Sequence, residues 1–379
     1  MKRFFSFILV FSFMLTFLAT VSSANEGKAS LDINVKSAVL IDMNTGTVLY
    51  EHNKDAALPP ASVTKIMTLL LVFEAIECGK LSYDQMITVS ENASSMGGSQ
   101  IFLEPGEEMS VNDLLKSVII ASANDAALTL AEEVGGSEEE FVRLMNERAD
   151  QLGMKNTRFE NVTGLDDTVS NHLTSAYDIA LMSRELLRHE KVTEYATVWM
   201  DTVRNGKFGL TNTNRLIRFY RGITGLKTGY TSNAGFCVSA SAKRDDLHLI
   251  AVVMGAESSQ IRNDAATKLL NYGFANFGIY SDKESEIRAV PIKNGTKEEI
   301  LVKKNIFEGL VNRGELGKIT SEEVYFDDLC APIKANEKVG EVIYKIGEKE
   351  IGKADITAIE PVERLSLIRY ILKIVKNLL

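Results

Sequence analysis

The sequence predicts a mixed α/β (α+β) domain, with helices packed on one mixed sheet, followed by a small all-β domain. Three observations predict it. Apolar β-type runs, "SAVLID" and "TVLY", come before a long stretch with helical spacing, and "FCVSASA" and "HLIAVVM" follow it. Strands at both ends of a helical region combine into a single sheet that the helices cover. From about Ser285 the texture changes to short runs of alternating apolar and charged residues between turns, the pattern of half-buried strands. The chain has 379 residues, of which 45% are hydrophobic, enough for two or three domains with a sizeable core.

The N-terminus begins with Lys2 and Arg3, then an apolar run from Phe4 to about Val21, then the small residues Ser22 to Ala24. This is the pattern of a secretory signal, with cleavage expected after Ala24. A retained N-terminal membrane anchor is the alternative. Both readings place the protein outside the cytoplasm. Its net charge of −9 argues against a nucleic-acid partner. Cys78, Cys237 and Cys330 are far apart and form no CxxC pair. No metal, cofactor or disulfide framework is therefore expected, and buried inert thiols are the simplest reading.

Next comes a hairpin: Ala38–Ile41 and Val48–Tyr50 flank "DMNTG", where Gly46 can take the positive φ of a turn. "PPASVTKIMTLLLVFEAIE" then opens a buried helix, since Pro59 and Pro60 bar continuation from upstream. "VNDLLKSVIIASANDAALTLAEEV", "SEEEFVRLMNERADQLG" and "SAYDIALMSRELLRHE" all carry apolar residues at helical spacing. Ser137 with Glu140 fits a capping box. Phe236–Ala242 and His248–Met254 read as two strands joined by a charged turn, followed by the helix "RNDAATKLLNYGFANFG". The tail "PVERLSLIRYILKIVKNLL" places Leu365, Ile368, Ile371, Leu372 and Val375 on one side of a helix and Arg369, Lys373 and Lys376 on the other. A basic amphipathic end reads as a membrane-surface helix, with packing on its own second domain as the alternative. The expected organisation is residues 1–24 signal, 25–280 mixed domain, 285–360 β-rich domain and 361–379 amphipathic helix.

Three short stretches carry reactive side chains. Ser62 and Lys65 stand one turn apart at the opening of the first helix. Unpaired N–H groups and the positive end of the dipole favour an oxyanion there. A lysine desolvated among apolar neighbours becomes a usable base. Taken alone, S-x-x-K is as well explained by a capping serine and a surface lysine. Ser122 and Asn124, in S-A-N, interrupt an apolar run, where polar groups need partners; local helix capping is the plainer account. Lys227, Thr228 and Gly229 form K-T-G at the expected start of an edge strand. A lysine beside a hydroxyl suits a carboxylate, and glycine permits a close backbone approach.

Together, and in this order, the three stretches form the motif set shared by penicillin-binding proteins and β-lactamases. The chain resembles the low-molecular-mass penicillin-binding proteins that are serine-type D-alanyl-D-alanine carboxypeptidases. The type found in Gram-positive spore formers looks nearest. The resemblance spans nearly the whole chain, including Gly97–Glu107 and Thr267–Phe274. It implies a penicillin-binding/β-lactamase-like transpeptidase fold for the mixed domain. It further implies that Ser62 attacks the carbonyl between two D-alanines of a peptidoglycan stem peptide and that Lys65 takes its proton. By the same likeness Ser122 relays that proton to the leaving amine within reach of Lys65, and Asn124 orients the substrate amide and Lys65. Lys227 and Thr228 would hold the terminal carboxylate, and the N–H groups of Ser62 and Tyr230 would form the oxyanion hole. Arg262 is an auxiliary carboxylate contact in this scheme. β-Lactams are expected to acylate Ser62 durably.

Two other readings compete. A class A β-lactamase needs a glutamate in E-x-x-x-N to activate water, but Glu160 is followed four residues later by Gly164. S-A-N in place of S-D-N also departs from that pattern. A non-catalytic wall-binding scaffold is the reading from another class. His52, His172, His189 and His248 form no triad or zinc pattern, and surface or loop roles are expected for all four.

Overall fold

A fully buried run makes the centre of the first sheet. All six residues of strand β1 (Ser37–Asp42) are buried, as is expected of a strand covered on both faces. The structure, a computed structural model, describes residues 31–167, 169–282, 287–366 and 368. The expected signal at 1–24 lies outside them. From Ile33 onward the chain forms one compact unit.

Strand β2 (Val48–His52) closes the hairpin. A single 3-10 turn, Ala61–Thr64, leads into helix α1 (Lys65–Glu77). Ser62 therefore lies on the turn, and Lys65 is the first residue of the α-helix. Ile66, Met67, Leu70, Val72 and Phe73 of α1 are at most 1% exposed. Burying each such side chain contributes about 1.5–3 kcal/mol, so the helix is anchored over its whole length.

The long apolar run from Val111 to Val134 is two helices. Helix α2 (Val111–Ala121) ends at Ser122, whose backbone is left-handed (φ 63°, ψ 28°), and α3 (Asn124–Gly135) starts two residues later. Apolar periodicity continues through the break because both helices bury their faces in the same core. Helix α4 (Glu138–Gln151) begins as expected: Ser137 Oγ accepts the Glu140 N–H. Helix α5 (Ala176–Leu186) packs on α1 and on the sheet.

Strands β3 (Ile223–Thr231), β4 (Gly235–Arg244) and β5 (Leu247–Ala256) complete the sheet in the order β2-β1-β5-β4-β3. Its pairs are antiparallel, with Leu40 opposite Ala251 and Lys227 opposite Ser239. K-T-G lies in the interior of the edge strand β3 rather than at its start. Helix α6 (Ser259–Asn276) packs against β4 and β5.

A second five-stranded antiparallel sheet follows, with its own core around Ile300, Val342, Tyr344 and Ile356. The expected C-terminal helix does not begin at Pro361. Val362 pairs with Ile333 and Arg364 with Gly295 as extended backbone. Val362 is 1% exposed in that core, so its burial and pairing override the helical pattern at these positions. Most of the expected helix, residue 367 and residues 369–379, lies outside the described residues. No helix among the described residues is long and apolar enough to cross a membrane. Of the three thiols only Cys237 is buried; Cys78 and Cys330 are exposed, against the sequence expectation.

Candidate active site

Ser62 sits on a turn gripped from two sides. On one side is β3: a Cβ on Gly229 would lie 2.8 Å from Pro60 O and 2.9 Å from Ser62 N. The close approach that glycine allows here is therefore to the protein's own turn, not to an incoming backbone. On the other side is the loop 159–174. Gly164, at φ +82°, leaves no room for a side chain, since a Cβ would stand 1.9 Å from Ala61 O. The half-buried serine is thus wedged between a strand and a loop.

Lys65 has no exposed surface. Its Nζ lies 3.0 Å from Ser62 Oγ and 3.0 Å from Thr163 O. Burial holds its pKa well below the ordinary lysine range; the nearby Lys227 charge pushes the same way, and Asp125 opposes both. A neutral amine in contact with a hydroxyl can accept its proton.

Lys227 is 2% exposed, and its Nζ donates to Thr228 O at 2.8 Å. Burial, then the Arg262 charge, pushes its pKa down to about 7. Arg262 is itself buried and bonds Asn263 Oδ1 through Nε and Nη2. Thr228 Oγ1 donates to Thr213 Oγ1 at 2.8 Å, and the Thr213 N–H donates to Ile120 O. Thr213 thereby ties the K-T-G strand to the end of α2, beside Ser122. Tyr230 points outward, stacked on Phe236 at 4.2 Å.

Ser122 is buried at the break between α2 and α3. Among the described residues no hydrogen bond joins it to Lys65. Asn124 Nδ2 donates to Gly97 O at 2.7 Å, and its buried Oδ1 has no partner among the described residues. An unpaired buried acceptor is costly unless something fills it, and a substrate N–H would. The neighbouring Asp125 accepts the N–H groups of Ile101 and Leu103. Arg204 bonds Ile101 O, Phe102 O and both oxygens of Glu107. The Gly97–Glu107 loop is thus fastened from both sides next to Asn124.

Thr163, Asp125, Arg204 and Thr213 escaped the sequence reading. Asp125 left a signal, a charge inside an apolar run. Thr163 acts through its backbone carbonyl, which leaves none. Of the histidines, His248 corrects the expectation of a surface or loop role: it lies half-buried in strand β5, its Nε2 3.0 Å from Thr224 Oγ1. His172 lies in a loop as expected, but it is 5% exposed and bonded to Thr64. Its pKa is pushed down to about 4, mainly by burial.

Comparison with known proteins gives consistent results. Residues 21–258 match a family described as D-alanyl-D-alanine carboxypeptidase. Residues 274–364 match the C-terminal domain of penicillin-binding protein 5. The chain is 41% identical to D-alanyl-D-alanine carboxypeptidase DacF of Bacillus subtilis, over 98% of this chain and 97% of that one. It is 34% identical to DacC of Escherichia coli, over 93% and 90% of the two chains. Penicillin-binding protein 5 of Haemophilus influenzae superposes with a TM-score of 0.75 at 31% identity, over 89% of this chain and all of that one. Penicillin-binding protein D2 of Listeria monocytogenes, in its cefotaxime-bound form, is similar over 65% of this chain and 99% of its own, with a TM-score of 0.60 and 32% identity.

Proposed function

Because the chain belongs to the D-alanyl-D-alanine carboxypeptidase family of serine peptidases, we propose roles for its individual side chains in that reaction. Ser62 is the nucleophile and Lys65 the base. The reading rests on the buried Lys65 amine 3.0 Å from Ser62 Oγ. Ser62 attacks the carbonyl between the two terminal D-alanines of a peptidoglycan stem peptide. Its proton passes to Lys65, and Ser122 relays it to the leaving D-alanine nitrogen. Lys227 and Thr228 hold the terminal carboxylate, with Arg262 behind Lys227 keeping the field positive. The Asn124 Oδ1 left unpaired accepts a substrate N–H. The N–H groups of Ser62 and Tyr230 stabilise the oxyanion, a device worth about 3–4 kcal/mol per donor. Water then hydrolyses the ester, releasing the shortened stem peptide and restoring Ser62.

A β-lactam carries the same kind of carbonyl beside a carboxylate and acylates the same oxygen. A class A β-lactamase is disfavoured by the loop 159–174. The Glu160 carboxylate accepts the Asn171 N–H, and what the loop offers Lys65 is a backbone carbonyl.

The substrate lies outside the cytoplasm, and the N-terminal pattern of residues 1–24 supports export by a cleaved signal. The basic amphipathic pattern beyond Ser366 supports attachment to the outer face of the cytoplasmic membrane. Flotation with anionic vesicles, with and without residues 367–379, tests that attachment. Mass mapping of the penicillin-modified peptide tests the nucleophile: a covalent mark away from Ser62 would overturn the assignment. Incubation with a peptide ending in D-Ala-D-Ala separates this enzyme from a scaffold, which would release no D-alanine.

A further inference from the structure

The loop 159–174 is fastened at three points to the turn that carries Ser62 and to the helix that follows it. Lys65 Nζ donates to Thr163 O at 3.0 Å. One turn further on, Thr68 Oγ1 donates to Val162 O at 2.6 Å. The third point is a histidine: His172 Nε2 lies 2.8 Å from Thr64 Oγ1, and its Nδ1 lies 3.0 Å from the Glu160 backbone nitrogen. Within the loop, Asn161 Oδ1 accepts the N–H groups of Thr163 and Gly164.

The chemistry of the ring follows from its partners. A backbone N–H only donates, so Nδ1 must accept and carries no proton. The ring proton is then on Nε2 and is donated to Thr64 Oγ1. Thr64 lies between Ser62 and Lys65 in sequence and faces Gly164. The imidazole thus bridges the nucleophile turn and the loop that supplies Lys65 with its carbonyl acceptor.

That carbonyl has a consequence for the amine. A neutral lysine has two N–H bonds and one lone pair. Giving one N–H to Thr163 O fixes the rotation of the amine and leaves the lone pair available to the Ser62 hydroxyl.

We propose that His172 is a positioning residue for acylation: by bridging Thr64 and Glu160 it holds Thr163 O against Lys65 Nζ and so aims the amine's lone pair at Ser62 Oγ. The proposal rests on Ser62 and Lys65 acting as nucleophile and base. The charged groups facing the imidazole are Glu160 and Asp166 of its own loop, while Thr64 and the ring of Phe159 cover it with neutral groups. Those facing the Lys65 amine are Lys227 and Asp125.

The test measures the second-order rate of penicillin acylation against pH for the full chain and for His172→Phe, Thr64→Val and Thr64→Ser. His172→Phe keeps a ring without its hydrogen bonds, and Thr64→Val removes only the hydroxyl. Both are expected to slow acylation by about 10- to 100-fold, the order expected when a reacting group is misplaced. Both are also expected to move the acid limb to higher pH, because a loosened, wetter lysine regains its proton more readily. Thr64→Ser, which restores the hydroxyl, is expected to recover the rate and the limb. If His172→Phe does not fold, Thr64→Val carries the test. Unchanged rates in the variants beside an active parent overturn this inference alone, as does a slower rate with the acid limb unmoved. No acylation of the parent overturns the assignment of Ser62 and this inference with it.

Discussion

The amine of Lys65 stands 3.0 Å from the hydroxyl of Ser62, and no part of Lys65 reaches solvent. Burial removes the water that would stabilise an ammonium, and the Lys227 charge discourages a second cation nearby. Both effects favour the neutral amine, the form that can take a proton from a hydroxyl.

Ser62→Ala is expected to abolish both penicillin labelling and D-alanine release while leaving the fold intact. Lys65→Met, close in volume and without the amine, is expected to slow acylation by about 10²- to 10⁴-fold, the usual worth of a general base. Stopped-flow acylation measures the second effect. Wild-type rates in Lys65→Met would show that another group takes the proton.

Gly164→Ala adds a methyl 1.9 Å from Ala61 O at a backbone with φ +82°. The clash and the left-handed conformation together are expected to cost at least ~2 kcal/mol, visible as a lower Tm. Gly229→Ala meets Pro60 O and Ser62 N at 2.8 and 2.9 Å. There the strand and the nucleophile turn are pushed apart, so acylation is expected to fall more than stability does. Parallel melting and acylation measurements separate the two effects.

Lys227 has its pKa pushed down to about 7 by burial and by the Arg262 charge. A bound carboxylate would favour the charged form and raise it. Binding of a dipeptide with a free carboxylate to the Ser62→Ala variant is therefore expected to take up a proton above about pH 7. Calorimetry in buffers of different ionisation enthalpy reads this directly. Lys227→Ala is expected to lose the uptake and to weaken binding of carboxylate-bearing ligands; full uptake in that variant would assign the proton elsewhere.

His172 and His248 both have pKa values lowered from 6.5 to about 4, chiefly by burial. The unfolded chain then binds more protons than the folded one between those values. Stability falls as pH drops through that window and levels off below about 4 for these two groups. Each contributes about 2–3 kcal/mol of acid destabilisation. Denaturant melts from pH 7 to pH 4 measure it, and His248→Gln is expected to flatten the slope. A parent slope no steeper than that variant's would rule out His248 as a contributor.

Much of the architecture was legible in the sequence because it rests on local chemistry. Apolar periodicity marked the helices, β-rich runs marked the strands, and Ser137 capped the helix its spacing indicated. The reading went wrong where tertiary packing outweighs local pattern. The break at Ser122 is hidden by apolar residues that continue on both sides of it, and Val362 gives up helical backbone for a place in the second core.

By itself the sequence determined which reactive side chains exist and in what order: a serine and a lysine one turn apart, a small polar triplet, and a lysine beside a threonine. Only the tertiary structure decided what surrounds them. A backbone carbonyl from Thr163 holds the Lys65 amine, Gly229 and Gly164 make room for the serine turn, and a buried histidine ties that turn to its loop. The physical reason is that these are contacts between distant segments, made through backbone atoms, absent side chains and exclusion of water. Gly229 stands in the sequence pattern, but what it makes room for does not, and neither the backbone carbonyl nor the exclusion of water leaves a mark on residue spacing.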